Sequence, residues 1–94
     1  MRLNFKGCYY YDDNDNVFYG YIPGMSLFDN GEDNENLTFA YSEEEVKDMV
    51  EDALPLELYR FNSLEAALLK NQERYNILKN NNDLEFFDIE LSFE

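Results

Sequence analysis

The chain predicts a small single α+β domain over residues 1–94, in the order β-β-β-α-α-β, with two helices on one face of a three- to four-stranded, largely antiparallel sheet. Three observations predict it. Apolar and aromatic residues alternate with polar ones over residues 3–11 and 87–93, the period of a strand with one dry face. Ser42 and Glu45 have the spacing of a helix capping box, in which each side chain satisfies the other residue's free backbone N–H. Ninety-four residues, 45% of them hydrophobic, are enough for one core and one domain.

In the first strand, Leu3, Phe5, Gly7, Tyr9 and Tyr11 share one face, and Asn4, Lys6, Cys8 and Tyr10 the other. Asp12-Asp13-Asn14-Asp15-Asn16 is turn chemistry, since these side chains cap their own backbone and tolerate left-handed conformations. Strand-like residues resume from Val17 to Ile22, so residues 3–22 form a hairpin. Pro23-Gly24 breaks it, because Pro lacks the N–H that a central strand needs. Met25 to Phe28 is a short apolar patch, and the acidic run 29–36 reads as a solvated loop.

Leu37, Phe39 and Tyr41 alternate with Thr38 and Ala40 in a third strand. The first helix follows, its apolar stripe made by Val46, Met49, Val50, Ala53 and Leu54. Pro55 is expected to end or kink it. A second helix starts at Asn62 or Ser63 and runs through Leu64, Leu68, Tyr75 and Leu78 to Asn80-Asn81-Asn82. In the last strand Phe87, Ile89, Leu91 and Phe93 face the core, while Asp88, Glu90, Ser92 and Glu94 form a wet, acidic face.

The net charge of −14 constrains the partners more than the fold. No Lys or Arg lies between Lys6 and Lys47, yet Asp12, Asp13, Asp15, Asp29, Glu32, Asp33, Glu35, Glu43, Glu44 and Glu45 do. Duplex DNA carries one charge per ~1.7 Å, so a body roughly 30 Å across is nearly as negative per unit length as a nucleic acid. Such a protein repels nucleic acid and attracts proteins that bind it. Disorder is the other reading of an acidic chain, but eight Tyr and eight Phe argue against it.

Catalysis finds little footing. The chain has no His, which removes the commonest general base and the usual metal ligand. It has no Gly-rich phosphate loop and no nucleophile elbow, and no cofactor is expected. Among its 21 acids, close carboxylate pairs arise by chance. A calcium loop begun at Asp12 sets Val17 where the sharp turn needs Gly, and Pro23 where a bidentate Glu belongs. Begun at Asp29, it sets Ala40 at the bidentate position. A lone Cys8 allows no internal disulfide and reads as a small buried hydrophobe, which suits a reducing compartment. With no membrane-length apolar run and no signal peptide, the expected location is the cytoplasm.

Consecutive Tyr9, Tyr10 and Tyr11, and the pair Phe86 and Phe87, cannot all face one core. Tyr10 and Phe86 are therefore candidate contact residues, because exposed aromatics rimmed by polar groups mark interfaces. An exposed strand could also pair with its symmetry mate in a homodimer. Residues two apart on a strand face are about 6.7 Å apart, so Asp88, Glu90 and Glu94 would make an anionic row. Glu43 and Glu44, in the first helical turn, extend it.

The order of these elements resembles the HicB antitoxin family over about residues 5–54. The matching residues are Tyr9-Tyr10-Tyr11-Asp12-Asp13, then Val17 to Tyr21, then Ile22-Pro23-Gly24, and Ser42-Glu43-Glu44-Glu45-Val46 at the helix opening. The chain departs from the pattern at Ala40, where the family usually has Gly, and in the acidic insertion 29–36. The DNA-binding module that can follow in the family is not expected here. The resemblance implies a partial RNase H-like sheet and a non-enzymatic domain that blocks a small basic RNA-cleaving toxin. Charge alone implies a broader class: inhibitors that imitate nucleic acid to disable a host defence nuclease, as small acidic anti-CRISPR proteins do. The expected partner in either case is a basic nucleic-acid-binding protein, with no direct binding of nucleic acid and no membrane. A soluble adaptor domain is the remaining alternative.

Overall fold

The computed structural model describes residues 2–25, 38–59 and 61–92. A long first strand, β1 (Arg2–Asp12), turns back into β2 (Val17–Tyr21). After β3 (Thr38–Ala40) come two helices, α1 (Glu43–Leu58) and α2 (Leu64–Leu78), and then β4 (Glu85–Ser92). The sheet order is β3-β2-β1-β4 and every neighbouring pair is antiparallel. The α+β class and the element order are as the sequence predicts.

Local chemistry accounts for the boundaries. At the hairpin tip, Asp12 Oδ1 accepts from the backbone N–H of Asn14 at 2.8 Å and of Asp15 at 3.0 Å. Asn16 closes the turn in the left-handed region at φ 56°, which Asn tolerates. Ser42 caps α1 by accepting from Glu45 N, and Ser63 caps α2 by accepting from Ala66 N.

Pro55 does not end α1, which continues to Leu58. Leu54 is fully buried and Leu58 packs on the same core, so burial of that last turn outweighs the hydrogen bond Pro55 cannot make. Met49, expected on the buried stripe, is 43% exposed.

Phe5, Ile22, Met25, Val50, Leu54, Ala67 and Ile89 form the main core between sheet and helices. Tyr9, Ala40 and Val46 form a second cluster at the other end of the sheet. In β3 the small Ala40 faces inward and Phe39 outward, because Val46 already fills the space beneath. Cys8 is buried. Among the described residues, no helix is long and apolar enough to cross a membrane.

One joint holds α2 to the sheet. Beyond Tyr21, opposite Cys8, the next register position sets Pro23 beside Lys6. Pro23 cannot donate, and the fully buried Asn71 of α2 fills the gap. Asn71 Oδ1 accepts from Lys6 N at 2.8 Å, while its Nδ2 donates to Lys6 O at 3.0 Å and to Pro23 O at 2.6 Å. A side-chain amide thus stands in for a strand's peptide group.

From this joint α2 reaches both sides of β1. Ala67 lies in the main core, whereas Tyr75 meets Phe86 edge-on at 5.1 Å. Phe86 pairs with Cys8, on the face that alternates with the core.

Candidate functional site

The register gathers acidic segments that are far apart in sequence. The β1–β2 tip, the start of α1 just after Ala40, and Glu85 opposite Tyr9 all lie at one end of the sheet. That end carries Asp12, Asp13, Asp15, Glu43, Glu44, Glu45 and Glu85. All are exposed except Asp12, which is half-buried by its turn. Its cation, Lys47, sits 5.6 Å above the Tyr9 ring. Burial first, and then the charges of Glu43 and Glu85, hold the Tyr9 phenol above its ordinary range.

Beside this end, on the face opposite α1, an aromatic row crosses three strands. Tyr10 and Tyr19 rings lie 5.7 Å apart, Tyr19 and Phe39 6.3 Å, and Phe39 and Tyr41 6.4 Å at right angles. Phe39 is 53% and Tyr41 75% exposed. Tyr19 Oη donates to Asp15 Oδ2 at 2.7 Å, which ties the row to the acidic tip. That hydrogen bond, then burial and the charges of Asp15 and Asp12, pushes the Tyr19 phenol up to about 12. Tyr10 is also raised, by burial first and then by Asp12 and Cys8.

A titration prediction follows from the Tyr19 contact. With its folded value raised, the protonated phenol is favoured in the native state, so its contribution is complete below pH 10 and is lost as pH climbs toward 12. Asp15→Ala is expected to return Tyr19 toward 10, read from its ring resonances by NMR. An unchanged midpoint would show that the hydrogen bond is not the cause.

The sequence-predicted residues divide. Asp12, Asp13, Asp15, Glu43, Glu44 and Tyr10 come together as described. Phe86 is half-buried and engaged by Tyr75, so it drops out of the surface. Asp88 is ion-paired with Lys6, and Glu90 lies 3.5 Å from Arg2, so these two members of the expected anionic row are paired on the β1 side while their carboxylates stay exposed. Asp29, Glu32, Asp33, Glu35 and Glu94 lie outside the described residues, as does the patch running on to Phe28.

Sequence reading overlooked Tyr19, Phe39 and Tyr41 as one surface. The odd-residue alternation of Phe39 and Tyr41 was their signal, but it did not say which face was dry. Among the described residues, no group of three His, Cys, Asp or Glu side chains is placed to hold a metal. A cleft of about 170 Å³ opens between β2, β3 and α1, lined by Ile22, Met25, Val50 and Glu57. It sits at the end away from the acidic tip. No protein-family model, curated protein or solved structure matches this chain.

Proposed function

We propose that this chain is a non-enzymatic acidic inhibitor that occupies the basic nucleic-acid-binding surface of a cytoplasmic partner protein. The observation that carries the reading is the convergence of the hairpin tip, the α1 start and Glu85 at one end of the sheet, beside an aromatic row whose Phe39 and Tyr41 are exposed. Carboxylates on such an end match the sign of phosphates, and accelerate encounter with a cationic groove. The rings supply contact area that sheds water, and they accept Arg side chains face-on.

The element order supports the antitoxin version of this reading, in which the partner is a small basic RNA-cleaving toxin, as the HicB resemblance implies. A small basic protein encoded beside this gene is expected on that version. A defence nuclease is the partner expected of a nucleic-acid mimic.

The test is capture of partners by the immobilised protein from lysate of its source cells, eluted with rising salt and by competing nucleic acid. Basic nucleic-acid-binding proteins are expected to be released by both. Five neutral replacements, Asp12→Asn, Asp13→Asn, Asp15→Asn, Glu43→Gln and Glu44→Gln, remove the charge while keeping hydrogen-bonding groups. At about 0.5 kcal/mol for each exposed pair, binding is expected to weaken roughly 50- to 100-fold. Equal capture by this variant, or partners with no affinity for nucleic acid, would overturn the proposal.

A further inference from the structure

Among the described residues β4 is the outermost strand on its side of the sheet, and its eight residues present an edge about 27 Å long. One edge pairs with β1 along the whole strand, from Glu85 beside Tyr9 to Ser92 beside Arg2. The other edge has no strand beside it among the described residues, so its backbone N–H and C=O groups lie outside the described ladder. Natural edges are commonly blunted by Lys, Pro or a bulge, and β4 contains neither Lys nor Pro.

Its side chains specify what could pair there. Phe87, Ile89 and Leu91 lie on the core face, with Ile89 only 4% exposed. Asp88 and Glu90 lie on the other face, each already met by a base from β1 on the inner side. Like charges directly opposite one another on a sheet are destabilising. A two-fold pairing of two β4 strands that keeps the apolar face continuous and overlaps most of the strand sets Asp88 against Asp88 or Glu90. A second copy is therefore a poor fit. A strand with bases opposite Asp88 and Glu90 continues the alternation of charge begun by Lys6 and Arg2.

We propose that the outer edge of β4 accepts an extended basic segment of the partner as a fifth strand, alternating Lys or Arg with β-branched apolar residues. Backbone hydrogen bonds supply affinity in this mode and alternate side chains supply specificity. The inference rests on the reading that the partner is basic, but the strand edge it uses shares only Glu85 with the acidic end.

The experiment uses the full chain and two fluorescent octapeptides of identical composition. One alternates Lys or Arg with Val or Ile; the other groups its bases in one half. Anisotropy titration at low and moderate salt is expected to give binding at least about ten-fold tighter for the alternating peptide. Hydrogen exchange is expected to show new protection at alternate amides of Glu85–Ser92. Glu90→Lys should weaken the alternating peptide about three- to five-fold, the size of one reversed cross-strand pair.

Equal binding of the two peptides, new protection on β3 instead, or self-association of the protein through β4 would overturn the proposal. Equal binding abolished by the five neutral replacements at the acidic end would remove the fifth strand while leaving the proposed function standing.

Discussion

Asn71→Ala is expected to cost about 3–6 kcal/mol of stability, since a polar group left without a partner costs about 1–3 kcal/mol and the two on Lys6, only part-buried, fall at the low end of that range. Three groups lose their partner at once: the N–H and C=O of Lys6 and the C=O of Pro23. A domain of this size has about 5–15 kcal/mol in total, so much of the population unfolds. Urea titration followed by circular dichroism measures the loss.

Asn71→Asp sharpens the test. A carboxylate there faces the two carbonyl oxygens that Nδ2 now serves, and the site is fully buried. Burial and those carbonyls would raise the folded-state affinity of the introduced carboxyl for its proton. Stability relative to Asn71→Ala is then fullest at low pH, where the protonated acid can donate, and is lost as pH rises through the folded-state value. A cost below about 1 kcal/mol for Asn71→Ala, with no pH-dependent difference between the two variants, would show that the amide is not the joint described.

The second large effect is at Gly24. Its φ of +82° lies in the region that side chains disfavour by about 1–2 kcal/mol. A Cβ there would also stand 2.5 Å from the backbone oxygen of Lys70, so either the turn or α2 must move. Forced overpacking adds about 1–3 kcal/mol, giving roughly 2–5 kcal/mol for Gly24→Ala. Because Lys70 adjoins Asn71, moving that backbone also pulls the amide from its partners. The double variant Gly24→Ala with Asn71→Ala should therefore lose less than the sum of the two, measured by the same titrations. Strict additivity would show that turn and amide act independently.

What could be read from the chain was set by local chemistry. The alternation of Leu3, Phe5 and Tyr9, the Ser42–Glu45 cap and the Asx turn at Asp12 each involve neighbours in sequence, and each is present in the fold. What could not be read depends on residues brought together late. Lys6 and Asp88 are separated by 82 positions, and only the β1–β4 register makes them a pair. Asn71, a polar residue on a helix, reads as solvent-facing until Pro23 is placed beside Lys6. Alternation leaves Ala40 and Phe39 interchangeable, because it fixes a period, not which side is dry. The acidic end was legible as two separate runs, Asp12 to Asp15 and Glu43 to Glu45, and the topology brings them and Glu85 to one end of the sheet.

β1 is one of the two inner strands of the sheet, and the partner on its far flank, β4, is the last of the four strands to be made. While the ribosome is still translating the helices, that flank has nothing to pair with. Its longest-range contacts close the largest loops, the slowest step for a chain of this kind. A nascent chain therefore spends nearly the whole translation of residues 1–94 with β1 open on one side. Like charge on unfinished copies on neighbouring ribosomes disfavours their joining strand to strand.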